Sequence, residues 1–376
     1  MRVVIAPDKF KGSLDAAGVA AALADGIRDV APAAVCDLIP MADGGDGTVD
    51  AFVASGASAI TVRVSGPLGA PVNATYARDG AAAVVEMAAA SGLALLGDAL
   101  DARRATTRGT GELLRDALDH GATRIVLGIG GSATTDGGAG ALVALGARFL
   151  DAAGAVLEPV PEALARVARA DLTGLDARLR EVDLAIACDV DNPLLGPSGA
   201  AAVYGPQKGA SPPDVAFLDG VLARLAEAMT VATGRDLRDL PGAGAAGGLG
   251  WALASACGAR LEPGVVLVAE LRGLAAALCG ADWCFTGEGR IDAQTLHGKV
   301  VDGVAVLARA AHVPVIAFGG SIELGVEAAL RERGVSCVPI VPGPVSLEAA
   351  MRDARANLRA AAARVAGCLE SRRRLL

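Results

Sequence analysis

The sequence predicts an α/β fold containing a mixed sheet, and three observations carry that expectation. Short β-branched runs alternate with Ala/Leu-rich stretches of helical period along most of the chain. Loops rich in glycine, aspartate and lysine fall where strands give way to helices. Over residues 60–86 the pattern turns to strict alternation interrupted by Gly-Pro, as antiparallel strands with tight turns require.

Taken in order, residues 2–6 read as a strand, and Ser13 as the N-cap of a helix ending near Val30. Residues 35–40 are the next strand, followed by the loop ADGGDG and a helix from Thr48. After the antiparallel stretch come a helix at 110–119, a strand at 124–128, the loop GGSATTDGG and a helix at 138–146. Further strands are expected at 183–188, 264–268, 282–286, 313–318 and 335–340, and the last 30 residues read as an Ala/Arg helix. The sheet character changes near residue 65, which places a domain boundary there.

Composition narrows the function. Hydrophobic residues make up 53% of the 376, yet no uncharged apolar stretch approaches the roughly 18–20 residues of a membrane span. The start, MRVVIAPDKF, enters a strand directly and has no signal-peptide layout. Seven scattered cysteines without a CxxC pair argue against a disulfide framework and a zinc site, so a cytoplasmic protein is expected. A net charge of −8, no basic cluster beyond Arg372–Arg374 and few aromatic rings argue against a nucleic-acid partner. Of the 34 basic residues only four are lysine: Lys9, Lys11, Lys208 and Lys299. Each sits in a polar, glycine-containing loop, and a compact ammonium suits phosphate oxygens in a way a guanidinium cannot always match.

Five loops hold the candidate chemistry. The first runs from Ala6 through Asp8, Lys9 and Lys11 to Ser13, ahead of a helix N-terminus. The second, ADGGDGT, carries Asp43 and Asp46. The third holds Gly130, Gly131, Ser132 and, as its one charge, Asp136. The fourth presents Asp189, Asp191 and Asn192 and runs on to Lys208. The fifth carries Glu288, Arg290 and Asp292 and ends at Lys299. Carboxylates beside glycine are what a Mg²⁺ site uses, with water and phosphates completing the octahedron. Glycine-rich amides with lysine neutralise a transferring phosphoryl group. Together these point to a small-molecule kinase.

Neighbouring patterns are weaker. Gly242–Gly247 spells GxGxxG, but Arg-Asp-Leu-Pro precedes it where the dinucleotide fingerprint needs an apolar strand. Gly128–Ala133 does follow a strand, with Asp151 about 20 residues on, and keeps open an NAD-dependent oxidoreductase acting on a three-carbon hydroxy acid. Lys299 is not a P-loop lysine, since Val300 stands where Ser or Thr must bind Mg²⁺. His120, His297 and His312 form no metal-ligand spacing.

The segments APDKFKGSL, MADGGDGT, GIGGSATTDGGAG, CDVDNPLLGPSGAAAVYGPQKGA, PGAGAAGGLG and TGEGRIDAQTLHGK resemble the bacterial glycerate kinase family (type I) over nearly the whole chain. The resemblance implies ATP and Mg²⁺ as cofactors, D-glycerate as acceptor and 2-phosphoglycerate as product, with 3-phosphoglycerate the alternative. A monomer or homodimer is expected. The resemblance also implies a flavodoxin-like domain made from 1–64 and 290–376, with a mixed-sheet α/β domain, 65–289, inserted. Four positions depart from the family: Asp46 often being Glu, Thr135 Asn, Lys9 Ser and Val301 Pro. On these grounds Asp189, then Asp191, are expected to act on the acceptor hydroxyl, with Lys11 the essential lysine. Asp8, Lys11, Ser13, Gly130, Gly131, Ser132, Asn192, Lys208, Glu288, Arg290 and Lys299 are expected to hold substrate or phosphate. Asp43, Asp136 and Asp292 are expected to contact Mg²⁺.

Overall fold

A computed structural model describes residues 1–45 and 47–375, with the side chains of 372–375 excepted. Asp46 and the side chains of the basic cluster Arg372–Arg374 therefore lie outside the described residues. The strands are β1 (Arg2–Ile5), β2 (Val35–Leu38), β3 (Ser58–Ser65), β4 (Pro71–Asp79), β5 (Ala82–Glu86), β6 (Arg124–Gly128) and β7 (Arg148–Leu150). They continue with β8 (Arg169–Asp171), β9 (Asp183–Ala187), β10 (Arg260–Glu262), β11 (Trp283–Ile291), β12 (Val315–Ile322) and β13 (Val335–Pro339).

The chain forms two compact units, Met1–Asp43 with Val265–Leu376, and Gly44–Gly264. The first is built on a parallel sheet ordered β13-β12-β11-β1-β2. Counted within this unit alone, that is the order 2-1-3-4-5 of a flavodoxin-like sheet, whose switch point lies between β1 and β11. Val3 to Ile5 are wholly buried, as a parallel strand covered on both faces must be. On one face Val3, Ile5, Phe285, Ile316 and Phe318 pack with Val19, Leu23 and Ile27 of the helix Ala16–Val30 and with Leu358 and Ala362 of the helix Ala354–Leu375. Gly26 lets those two helices touch, because a Cβ there would stand 2.1 Å from the carbonyl oxygen of Arg359. The Asp29 carboxylate receives both Nε and Nη2 of Arg359 at 2.7 Å, so the two chain ends close one core.

The second unit carries a six-stranded mixed sheet, β10-β9-β6-β5-β4-β3. β3, β4 and β5 pair antiparallel, as the alternation over 60–86 predicts, and β5, β6, β9 and β10 pair parallel. A small antiparallel pair, β7 with β8, stands apart from it. The core includes Tyr76, Leu113, Leu127, Phe149, Leu222, Leu225 and Trp251.

Several expectations shift. The unit limits differ from 1–64 with 290–376 and 65–289. β3 already pairs along its whole length with β4, and β11 runs unbroken through residue 290 beside β12. Residues 264–268, expected as a strand, begin the helix Gly264–Leu271. A short apolar β-branched run cannot be told from a buried helix by period alone, and Gly303 accepts this one at close range: its Cβ would be 2.5 Å from Val265 Cγ1. The helix expected from Ser13 begins at Ala16, where the Asp15 carboxylate caps the N–H of Gly18 at 2.6 Å.

Candidate active site

Each unit brings part of the predicted set together at the carboxyl ends of its parallel strands, where open α/β sheets bind ligands. In the first unit the place is the switch point itself. The chain leaves β1 into Pro7–Gly12, and the Asp8 N–H donates to Gly287 O at 2.8 Å. β11 continues through Gly287-Glu288-Gly289-Arg290, a stretch expected as loop, with Gly287, Glu288 and Arg290 paired in register with β12. Its glycines explain how. A Cβ at Gly287 would lie 2.3 Å from Phe318 O, and one at Gly289 3.3 Å from Phe10 Cα. With strand period two, Thr286, Glu288 and Arg290 then share one face.

Asp8 and Glu288 are both nearly buried, 9% and 5% exposed. Burial, with the neighbouring Asp43 carboxylate, pushes Asp8 up to about 6, against the pull of the Lys9 N–H at 2.7 Å and the charges of Lys9 and Lys299. Burial likewise raises Glu288 to about 7, against the Thr295 hydroxyl that donates to it and the charge of Lys299, and with Asp8 and Asp292 adding to the rise. Thr295 is held for this by a reciprocal cap: its Oγ1 accepts the Asp292 N–H at 3.0 Å, and Asp292 Oδ1 accepts the N–H of Gln294 at 3.0 Å. Sequence reasoning missed Thr295, although Asp-x-x-Thr at 292–295 is a capping pattern. Lys299 Nζ donates to Gln294 Oε1 at 2.9 Å. Arg290 is well exposed and pairs with Asp292 at 3.2 Å. Lys11 is exposed on the loop after β1.

In the second unit a cavity of about 320 Å³ opens at the ends of β6 and β9. Gly130, Gly131, Ser132, Asp189 and Lys208 line it, with Cys188, Tyr204 and Gln207 among residues not singled out from sequence. Lys208 is 2% exposed, and its Nζ donates to Thr134 O at 2.6 Å. Burial pulls its ammonium down to about 7, opposed by the Asp136 charge. Gly131 sits at φ +69°, which favours glycine. Gly131 O accepts the Leu93 N–H at 2.9 Å, while the N–H groups of Gly130, Gly131 and Ser132 donate to no described residue. Asp189 Oδ1 accepts the Gly264 N–H at 3.1 Å and its side chain is exposed on the cavity wall. Asp191 is exposed nearby in sequence and does not line the cavity.

Three predicted residues are occupied in other ways. Asp136, expected at Mg²⁺, is wholly buried and accepts from Thr107 N at 2.7 Å, Thr107 Oγ1 at 2.8 Å, Gly140 N at 3.1 Å, Gly138 N at 3.2 Å and Thr106 Oγ1 at 3.3 Å. Its carboxylate braces the loop after β6. Ser13, expected at phosphate, donates its hydroxyl to Met351 O at 2.6 Å. Asn192 spends its amide on Ser198 O at 2.9 Å and on the Tyr204 hydroxyl at 2.6 Å, so it orients a cavity-lining ring.

The NAD alternative fails on topology. β6 has β5 and β9 as neighbours, whereas Asp151 follows β7 of the separate pair. Its carboxylate closes its own turn, accepting from Ala153 N and Ala155 N at 2.9 Å. A ribose-binding acid must instead stand at the end of the strand next to the glycine loop.

A doubly wound unit with buried acids and a lysine at its switch point, together with an amide-lined cavity over a buried lysine, is the arrangement of an α/β enzyme. Comparison with known proteins makes this specific. The model of the glycerate kinase family matches residues 3–370, and the chain belongs to that family. It is similar to the glycerate kinase of Bacillus subtilis (strain 168), 48% identical over 360 residues covering 94% of each chain. It is 44% identical to the glycerate 2-kinase of Escherichia coli (strain K12), covering 98% of each. A crystal structure of a candidate glycerate kinase 2 from Salmonella typhimurium LT2 superposes with a TM-score of 0.91 at 45% identity, covering 100% of this chain and 99% of that one. The chain is thus a phosphotransferase. Among the described residues no helix is long and apolar enough to cross a membrane.

Proposed function

We propose that the enzyme transfers the γ-phosphoryl group of ATP to a hydroxyl of D-glycerate, giving 2-phosphoglycerate and ADP. The observation that carries this is the pair of buried acids, Asp8 and Glu288, raised together beside Lys299 at the switch point of the flavodoxin-like sheet. Burial raises both, and neighbouring carboxylates add to the rise, Asp43 at Asp8 and Asp8 with Asp292 at Glu288, which a bound cation would relieve. Their all-oxygen chemistry suits Mg²⁺, which binds through one or two carboxylates with phosphates and water completing its shell. Among the described residues no three His, Cys, Asp or Glu side chains gather as a self-contained metal cage. Asp43 and Asp292 would hold the ion, Asp43 beside Asp8 and Asp292 beside Glu288. Bound there, Mg²⁺ would supply charge neutralisation of the phosphates.

Lys299 and the exposed Lys11 are assigned to phosphate oxygens. Asp189, with Asp191 as second choice, is assigned to hold the proton of the acceptor hydroxyl. As that oxygen bonds to phosphorus and the bond from phosphorus to ADP breaks, the proton passes to the Asp189 carboxylate and then to solvent. The names of the relatives, one of them a glycerate 2-kinase, support both acceptor and product. Coupled measurement of ADP release with D-glycerate, followed by NMR of the product, tests the reading. Release of ADP with phosphorus on the 2-oxygen is expected. A 3-phosphate would overturn the position, and no release would overturn the reaction.

A further inference from the structure

The second unit's cavity holds a single fully buried cation, Lys208, with three consecutive N–H groups unpaired among the described residues at its rim. Both features favour an anion: burial of an ammonium with one carbonyl partner is costly, and the amides of the exposed Gly130 and Gly131 and of Ser132 are available as donors beside it. The charges facing Lys208 identify which anion. Asp136 stands behind it on the loop after β6, and Asp189 stands in the cavity wall after β9. Cys188 and Tyr204 are the other titratable groups bordering the cavity, and burial raises both, which keeps them neutral. The single ammonium of Lys208, already opposed by Asp136, is too little charge to neutralise a polyphosphate and suits no more than a monoanion. About 320 Å³ also suits a three-carbon acid, and the single ring, Tyr204, offers no slot for stacking a nucleobase between rings.

Resting on the kinase reading above, we propose that the carboxylate of the acid substrate docks on Lys208 and the Gly130–Ser132 amides, and that Lys208 takes up a proton as the acid binds. The acid's hydroxyl then lies on the side of the cavity that presents Asp189, a carboxylate that can accept its proton. Proton uptake follows from linkage. A lysine that burial pulls down to about 7 is partly neutral in the free enzyme at and above neutrality, and a bound anion favours its charged form.

Calorimetric titration of the full-length protein with D-glycerate, without nucleotide, in buffers of differing ionisation enthalpy reads this directly. Roughly 0.3–1 proton should be taken up per glycerate near pH 8, falling toward zero below pH 6. Lys208→Met should abolish uptake and raise the KM for glycerate about 30-fold or more, the cost of a lost charge-assisted contact, while the KM for ATP moves less than about threefold. Because Met replaces a buried charge, the variant should melt no lower than the parent, which confirms that it folds. Binding without proton uptake, or a Lys208→Met effect falling on ATP in place of glycerate, would overturn the proposal. Lack of ADP release by the unaltered enzyme would sink the kinase reading separately, leaving the titration to judge the subsite.

Discussion

Asp8 and Asp136 come from similar glycine-rich loops after parallel strands, and both are buried, yet their surroundings differ in kind. Asp136 receives five donors from Thr106, Thr107, Gly138 and Gly140, and the Thr107 hydroxyl that donates to it accepts the Ala141 N–H in turn at 2.9 Å. Asp8 has the Lys9 N–H and two lysine charges, against another carboxylate close by. A buried carboxylate saturated by backbone donors fixes the loop that saturates it. One pressed against other acids is held short of its optimum and gains when a cation or phosphate-bound metal arrives. On the function proposed above, partner count, rather than residue type or loop type, separates the structural acid from the functional one.

The largest effect should come from breaking the saturated side. Asp136→Ala strands five donors and should cost about 3–5 kcal/mol of unfolding free energy by urea titration. An unchanged midpoint would show that those bonds carry little. Asp189→Asn comes next, on activity: kcat should fall roughly 10²–10⁴-fold with stability nearly unchanged, and a near-normal kcat would remove Asp189 from the proton-holding role. The acid cluster is subtler. Asp8 and Glu288 are raised in the folded chain, so between about pH 4 and pH 7 it keeps protons that the unfolded chain releases. Stability is therefore lost as pH rises through that window. Glu288→Gln should flatten this loss by about 2 kcal/mol, read as melting temperature against pH, and Mg²⁺ should do likewise for the parent. A slope identical in Glu288→Gln and parent would mean Glu288 is not raised.

Much of this was legible in sequence. Alternation over 60–86 located the antiparallel strands, and the four lysines marked three of the five loops, because loop chemistry is local. The resemblance supplied the flavodoxin-like unit from both chain ends, which no local pattern contains. What stayed hidden depends on partners far away in sequence. TGEGRI reads as a loop until β12 pairs with it, and the Val265–Val268 run reads as a strand until Gly303 admits a helix. Nothing about Asn192 announces that Tyr204 and Ser198 will use up its amide, nor about Lys208 that it will be buried against the Thr134 carbonyl of another loop.

Ser13 extends the same rule to a neutral group and sets the smallest effect. It stands two residues from Lys11 in the loop most suggestive of phosphate, but its hydroxyl already donates to Met351 O, 338 residues away along the chain. Met351 belongs to the helix Leu347–Arg352, and its Cε would stand 2.7 Å from a Cβ at Gly12, so the loop and that helix are fitted closely to each other. Ser13→Ala should therefore cost about 1 kcal/mol of stability while kcat/KM for ATP stays within about twofold. The neighbouring Lys11→Met should do the reverse, leaving stability alone and weakening ATP use by tenfold or more (~1.4 kcal/mol). A Ser13→Ala enzyme that melts like the parent but loses ATP affinity would show that the hydroxyl leaves its carbonyl for phosphate, and partner count in the free enzyme would then be a poor guide at this loop.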